Sequence, residues 1–277
     1  MSVRAKGYHP WTGQLNTQRL VWLPLVRQGL LDLWRGKKNK LLLLMAAIPF
    51  IIHGLLLFGA AYPGTLFKQV LPEFARKPEG IFQHYLQNEF LFLMVLLVVL
   101  KAGAHTIAND IRHRAYVLYL SRPLRPLDYA LGKGCSVFAA GWVILGLPGF
   151  LLLILNLLFT RQLASWHIWV SLLIGPSLLV ATLTVLVLFF SAYLKTGRMA
   201  WIFTFMVYLT TGALGNILAE ILRNSAWRQL SLQGAHQAFI AWLFGTESGG
   251  IAGGLFLLTL GIICTLLLGR RIFRLEA

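Results

Sequence analysis

Asp110, Arg112, His113, Arg114, Arg122, Arg125, Asp128 and Lys133 crowd into one stretch of the chain, flanked on both sides by long apolar runs. Those residue types suit ion pairing and docking. Aromatic residues and Arg are also enriched where protein surfaces bind one another, and Tyr116 and Tyr119 lie among the charges. Catalysis is harder to assemble. Gly132-Lys133 resembles the end of a phosphate-binding loop, but Leu127 stands where the first glycine belongs and Gly134 where Ser or Thr belongs. There is no Gly-x-Ser-x-Gly and no His-Glu-x-x-His, and most of the nine acidic residues fall in loops. His53 and His105 each lack a second His, Cys or carboxylate at i+3 or i+4, so neither forms a metal pair by local spacing. No catalytic residue and no metal or other cofactor is expected in this chain.

The elements that position the charged stretch follow from composition. Of 277 residues, 57% are hydrophobic and only 12% charged, with a mean hydropathy of +0.70. Such a chain belongs in a bilayer. About 20 apolar residues cross a ~30 Å hydrocarbon core, and segments of that kind run Leu41 to Tyr62, Asn88 to Ile107, Gly134 to Phe159, Ile168 to Leu194, Met199 to Ile221 and Gly250 to Leu268. Backbone amides in lipid must be paired internally, which leaves helix or closed barrel. Unbroken runs such as Phe90 to Leu100 lack barrel alternation. The expected fold is therefore an all-α integral membrane protein with six transmembrane helices.

Orientation follows from Lys and Arg. With the amino terminus in the cytoplasm, nineteen of these residues fall inside and six outside, a bias that sets both termini in the cytoplasm. The formal charge of +16 then reads as a basic rim facing anionic lipid headgroups. The basic residues are spread over four segments without a recognition module, so no nucleic acid is expected as a partner. Cys135 and Cys264 sit in spans and are too few for a disulfide framework. Arg4, Lys6, Pro10 and Arg19 precede any apolar run, so the first span, not a cleavable signal peptide, is expected to direct insertion.

Residues 1–40 form an amino-terminal segment ahead of the membrane domain, 41–277. Within Gln18 to Lys40, Trp22, Leu23, Val26, Leu30, Leu33 and Trp34 make an apolar stripe opposite Arg19, Arg27, Gln28, Asp32 and Arg35. An amphipathic interfacial helix is expected there, with a break near Pro24 or Gly29. Pro63 to Gln87 reads as an ordered lid or short helix. The external segment 222–249 is too apolar for an ordinary loop, and one or two short helices dipping into the outer leaflet are expected. Pro49, Pro148 and Pro176 predict kinks in spans one, three and four. Lys101 is close enough to its helix end to snorkel. The sixth span opens with two overlapping small-xxx-small pairs, Gly249–Gly253 and Gly250–Gly254, which suit close helix packing.

Across the charged stretch, Asp110 precedes Arg114 by four residues, the favourable order for a helical ion pair. The helix is expected to run on until Pro123, and Pro126 with Asp128 starts the next. An acidic residue leaving the second span, then Ser121-Arg122-Pro123-Leu124-Arg125, then Leu131-Gly132-Lys133 opening the third span together resemble the membrane subunits of type 2 ABC transporters, the exporter permeases. The layout is most similar to the permease group that serves copper-enzyme maturation. The chain departs from the common pattern in carrying Asp110 and Ala115-Tyr116 where one or more Glu and then Gly-Thr are usual.

The resemblance implies a coupling segment at 108–133 that docks on a separate ABC ATP-binding subunit through Asp110, Arg112, Arg114, Tyr116, Tyr119 and Arg122. It implies a second contact from the interfacial helix through Trp22, Arg27, Trp34 and Arg35. ATP and Mg would be held by the partner subunit, and a second permease chain, identical or a paralogue, would complete the bundle amid membrane lipids. A bacterial cytoplasmic (inner) membrane is the expected location. A membrane anchor or scaffold for an ATPase-driven complex that moves no solute is the alternative reading. An intramembrane enzyme or ion-coupled carrier lacks the clustered ionisable groups it needs.

Overall fold

The computed structural model describes residues 22–62, 71–115 and 126–273. Among them there is no β-strand. Six helical stretches are long and apolar enough to cross a membrane: Asn39–Ala61, Glu89–Arg112, Pro126–Thr160, Trp166–Tyr193, Gly197–Ile221 and Ser248–Phe273. Each matches an expected span.

The helices, in chain order, are α1 (Leu23–Arg35), α2 (Lys37–Ala46), α3 (Ile48–Ala61), α4 (Pro78–Gln87), α5 (Glu89–Gly103), α6 (Thr106–Arg112), α7 (Pro126–Thr160), α8 (Trp166–Tyr193), α9 (Gly197–Ile221), α10 (Leu232–Leu243) and α11 (Ile251–Phe273). The first span is α2 with α3, broken at Ala47 just ahead of Pro49. The second is α5 with α6, broken at Ala104-His105. Pro148 and Pro176 lie inside α7 and α8, and both helices continue through them.

Burial sorts the spans. In the most apolar part of the second and fourth spans, 61% of residues are buried, so α5 and α8 form the centre; the fifth span is only 17% buried and lies at the periphery. Lipid tails are as apolar as Leu, so spans associate through close packing and hydrogen bonds, not by escape from water. Thr182 Oγ1 donates to Leu257 O at 3.2 Å and Tyr193 OH to Leu267 O at 3.1 Å, both tying α8 to α11. Three of the four glycines opening the last span pack closely, whereas Gly249 faces open space. Gly250 and Gly253 lie against the carbonyls of Ala238 and Ala235 in α10, and Gly254 lies on the Phe239 ring, where any side chain would collide.

Two ends of the bundle follow. At one, the basic end, α1 packs along α7 and against α2. At the other lie α4 and α10. Pro78 and Glu79 open α4, and its Ile81, Phe82, Tyr85 and Leu86 are buried. Ser231 caps α10, accepting from Gly234 N at 2.9 Å, and most of its apolar residues, Leu232, Phe239 and Ile240 among them, are also buried. The apolar character of segment 222–249 is thus largely spent on protein packing, with Trp227, Leu230 and Trp242 left outward.

Candidate functional site

At the basic end, the Asp110 carboxylate is held by α7. Its Oδ2 lies 3.0 Å from Lys133 Nζ and accepts from Tyr129 OH at 2.7 Å. Tyr129 and Lys133 stand one helical turn apart, so one face of α7 presents both to α6, and the Lys133 ammonium also sits 5.7 Å from the Tyr129 ring centre. The Asp110 and Lys133 side chains are only 14% and 16% exposed. A half-buried pair with a second donor is better satisfied than a surface pair, which typically contributes under about 1 kcal/mol.

This arrangement corrects the expected Asp110–Arg114 pairing. Helix α6 ends at Arg112, and Arg114 adopts φ +53°, the left-handed region that L-residues occupy at a cost of roughly 1–2 kcal/mol. The chain turns there instead of continuing as one helix, which leaves Arg112 and Arg114 exposed. Tyr116, Tyr119 and Arg122 lie outside the described residues.

Where the second span breaks, α8 supplies the missing cap. Ser191 Oγ accepts from Ile107 N at 3.1 Å and Ala108 N at 3.0 Å and donates to Ala104 O at 2.9 Å. Three backbone groups freed at the Ala104-His105 turn are paired by one buried hydroxyl. An unpaired amide in such a place costs several kcal/mol in hydrocarbon.

Helix α1 completes the assembly by packing across α7. Gly29 faces Ser136, and Gly132 faces Leu25 and the Trp22 carbonyl, in each case too closely for a side chain. Pro24 falls in the first turn of α1, where proline is tolerated, and the helix passes through Gly29 unbroken. The break comes instead at Gly36, which is extended. Trp22 is half-buried at the start of α1 and Arg27 is exposed. Trp34 and Arg35 lie in its last turn, with side chains outside the described set. Between α1, α2, α5, α6 and α7 is a polar cavity of about 330 Å³, reached by Gln28, Asp32, Lys101, His105, Asp110 and Lys133. Lys101 is exposed there.

At the opposite end, His53 is not solitary. Its Nδ1 lies 2.6 Å from Pro49 O and its Nε2 3.0 Å from His84 Nδ1, which joins α3 to α4. The His84 ring stacks on Phe74 at 4.1 Å, and partial burial lowers its pKa. Tyr85 donates to Leu145 O at 3.0 Å, and full burial raises its pKa above the ordinary tyrosine value. Burial lowers His236 to about 4, against the opposing effect of its Nε2 hydrogen bond to Leu86 O at 3.1 Å.

Among the described residues no group of three His, Cys, Asp or Glu is placed to hold a metal ion, and both cysteines are free. What the basic end builds is a joint: α1, α6 and α7 are fixed to one another by a carboxylate clasp and two glycine approaches. Sequence reasoning found Asp110, but not Lys133 as its partner, and missed Ser191, Ser136 and His84. Ser191 and His84 act on residues more than thirty positions away, beyond any local pattern.

The chain is a multi-pass α-helical membrane protein. Comparison with protein-family models and with curated proteins gives no match.

Proposed function

We propose that this chain is the membrane subunit of an ATP-driven transporter, a type 2 ABC permease with no catalytic residues of its own. A separate ATP-binding subunit, carrying ATP and Mg, docks at the basic end around the α6–α7 connection, and a second permease chain completes the pathway. The observation that supports this most is the locked block of α1, α6 and α7, in which Asp110, Lys133 and Tyr129 join α6 to α7 and the Gly29 and Gly132 approaches seat α1 on α7. A helix that transmits force must not slide on the bundle it moves. Exposed Arg112, Arg114 and Arg27 lie on the outside of that block, where a partner can reach them.

In this reading the basic end is cytoplasmic, both termini lie inside, and the membrane is the bacterial inner membrane. The distribution of Lys and Arg supports that orientation, and α1 lies in the interface as a second contact. ATP-driven closure of the partner displaces the block as a unit, and the spans switch between discrete packings. The energy comes from different partner contacts in the two states.

The test is to purify the full chain with its candidate ATP-binding subunit and to substitute Arg112→Ala, Arg114→Ala and Tyr119→Ala. Complex formation or ATP turnover should fall at least tenfold while the isolated chain keeps its thermal stability. Unaltered assembly and turnover would remove this segment from the coupling role. ATP turnover stimulated by a compound that is carried across vesicles separates a transporter from an anchor that moves no solute.

A further inference from the structure

A cleft of about 940 Å³ opens at the α4–α10 end, within the volume range of small-molecule sites. Its walls differ from the rest of the molecule. Carboxamides of Gln87, Asn88, Gln229 and Gln237 line it together with hydroxyls of Ser225, Thr246 and Ser248. The amides are held in place. Gln87 Nε2 donates to Gln237 O at 2.8 Å, and Gln237 Nε2 returns a bond to Gln87 O at 3.0 Å. Gln229 Nε2 reaches Gly249 O at 3.5 Å and Asn88 caps α5. These bonds use the amide nitrogens of Gln87, Gln229 and Gln237; Gln87 Oε1 also accepts from Gln83 Nε2 at 3.5 Å, and the amide oxygens of Gln229 and Gln237 remain as acceptors along the cleft.

Charge narrows the ligand. In a chain of net charge +16, the described residues that line this cleft set one cation, Arg228, against Glu89 and Glu247, with His84 at its edge. Two carboxylates disfavour a phosphate or carboxylate guest, whereas carboxylates and amide oxygens together accept from hydroxyls. Phe90, 37% exposed, lines the same wall and offers a flat apolar face. Trp227 and Trp242 stand exposed nearby, the residue type that settles at headgroup depth.

We infer that the cleft binds a neutral, hydroxyl-rich head of saccharide type, either free or as the head of a lipid. This goes beyond the transporter reading and does not rest on ATPase coupling, since binding is read on the chain alone. The experiment uses the full chain in phosphatidylcholine nanodiscs and titration calorimetry with three probes: maltose, decyl maltoside below its micelle concentration, and decyl phosphocholine. Decyl maltoside should bind, and Gln237→Leu should weaken it at least tenfold. Glu247→Ala, at an exposed position without a side-chain hydrogen bond among the described residues, should weaken it several-fold while leaving the melting temperature unchanged. Maltose binding as well as decyl maltoside identifies a soluble source; decyl maltoside alone identifies a lipid-linked one. Equal affinity for decyl phosphocholine, no binding of either sugar, or sugar binding untouched by both substitutions would overturn the assignment.

Discussion

His53 Nε2 and His84 Nδ1 lie 3.0 Å apart, although thirty-one positions separate the residues. A carbonyl only accepts, so His53 Nδ1 carries the proton towards Pro49 O. A neutral His53 ring then leaves Nε2 to accept from His84 Nδ1–H. The pair fastens the first span to the short helix α4. His53→Ala removes a ring that is 1% exposed and should cost roughly 2–4 kcal/mol, as other large-to-small core changes do. Thermal unfolding in detergent should show the fall, and a double-mutant cycle with His84→Ala should show coupling of about 1 kcal/mol. Strict additivity would dissolve the pair.

Asp110 and Lys133 test the joint at the basic end. Asp110→Asn leaves a half-buried ammonium facing a neutral amide and should destabilise by about 1–3 kcal/mol. Exchange of the two residues, Asp110→Lys with Lys133→Asp, should recover part of that loss. Melting curves of Asp110→Asn, Asp110→Lys, Lys133→Asp and the double exchange decide it; a double exchange no better than either charge-reversing single change would remove the clasp from the account.

Gly29 and Ser136 make a steric prediction. Gly29→Val drives a branched side chain into the Ser136 hydroxyl, so α1 should lift from α7. Limited proteolysis between α1 and α2 should then speed up several-fold, and Ser136→Gly in the same chain should partly restore protection. Cleavage at the original rate would show that α1 docks elsewhere.

Ser191→Ala should unpair the Ile107 and Ala108 amides at the break in the second span. At about 1–3 kcal/mol for each unsatisfied group, hydrogen exchange at those two amides should accelerate by ten-fold or more. Little change there would mean that another group caps α6.

Acid should weaken the α4–α10 end. His236 has a folded pKa of about 4 against 6.5 for the free side chain, so the unfolded chain binds the extra proton between these values. Stability is therefore full above about pH 6.5, declines as pH falls towards about 4, and levels off below. At roughly 1.4 kcal/mol per pH unit, the loss is on the order of 3 kcal/mol. Melting temperature against pH should show that slope, and His236→Leu should flatten it.

The six spans were legible because length and hydropathy alone decide them. Their limits were legible only where the boundary charge stays unpaired. Pro126 with Asp128 marked the start of the third helix, and α7 begins there, eight residues ahead of the apolar span placed from Gly134, just after Lys133. Lys133 reads as an edge in sequence, but Asp110 partners it, so the helix carries it at little cost. At a 1.5 Å rise per residue, the 35 residues of α7 reach about 52 Å, well past a ~30 Å apolar layer. Asp110 stood out by its setting. Ser191, one hydroxyl in an apolar helix, has no local signal, because its value depends on a turn 84 residues away.

The thin embrace around α9, 17% buried across its most apolar window, means that its place is kept chiefly by what surrounds the protein. Ile202, Phe203, Met206, Leu209 and Ile217 look outward, so solubilisation that strips away annular lipid loosens this helix first. A mild amphiphile or a neighbouring subunit against that flank is therefore part of what gives the polypeptide its shape.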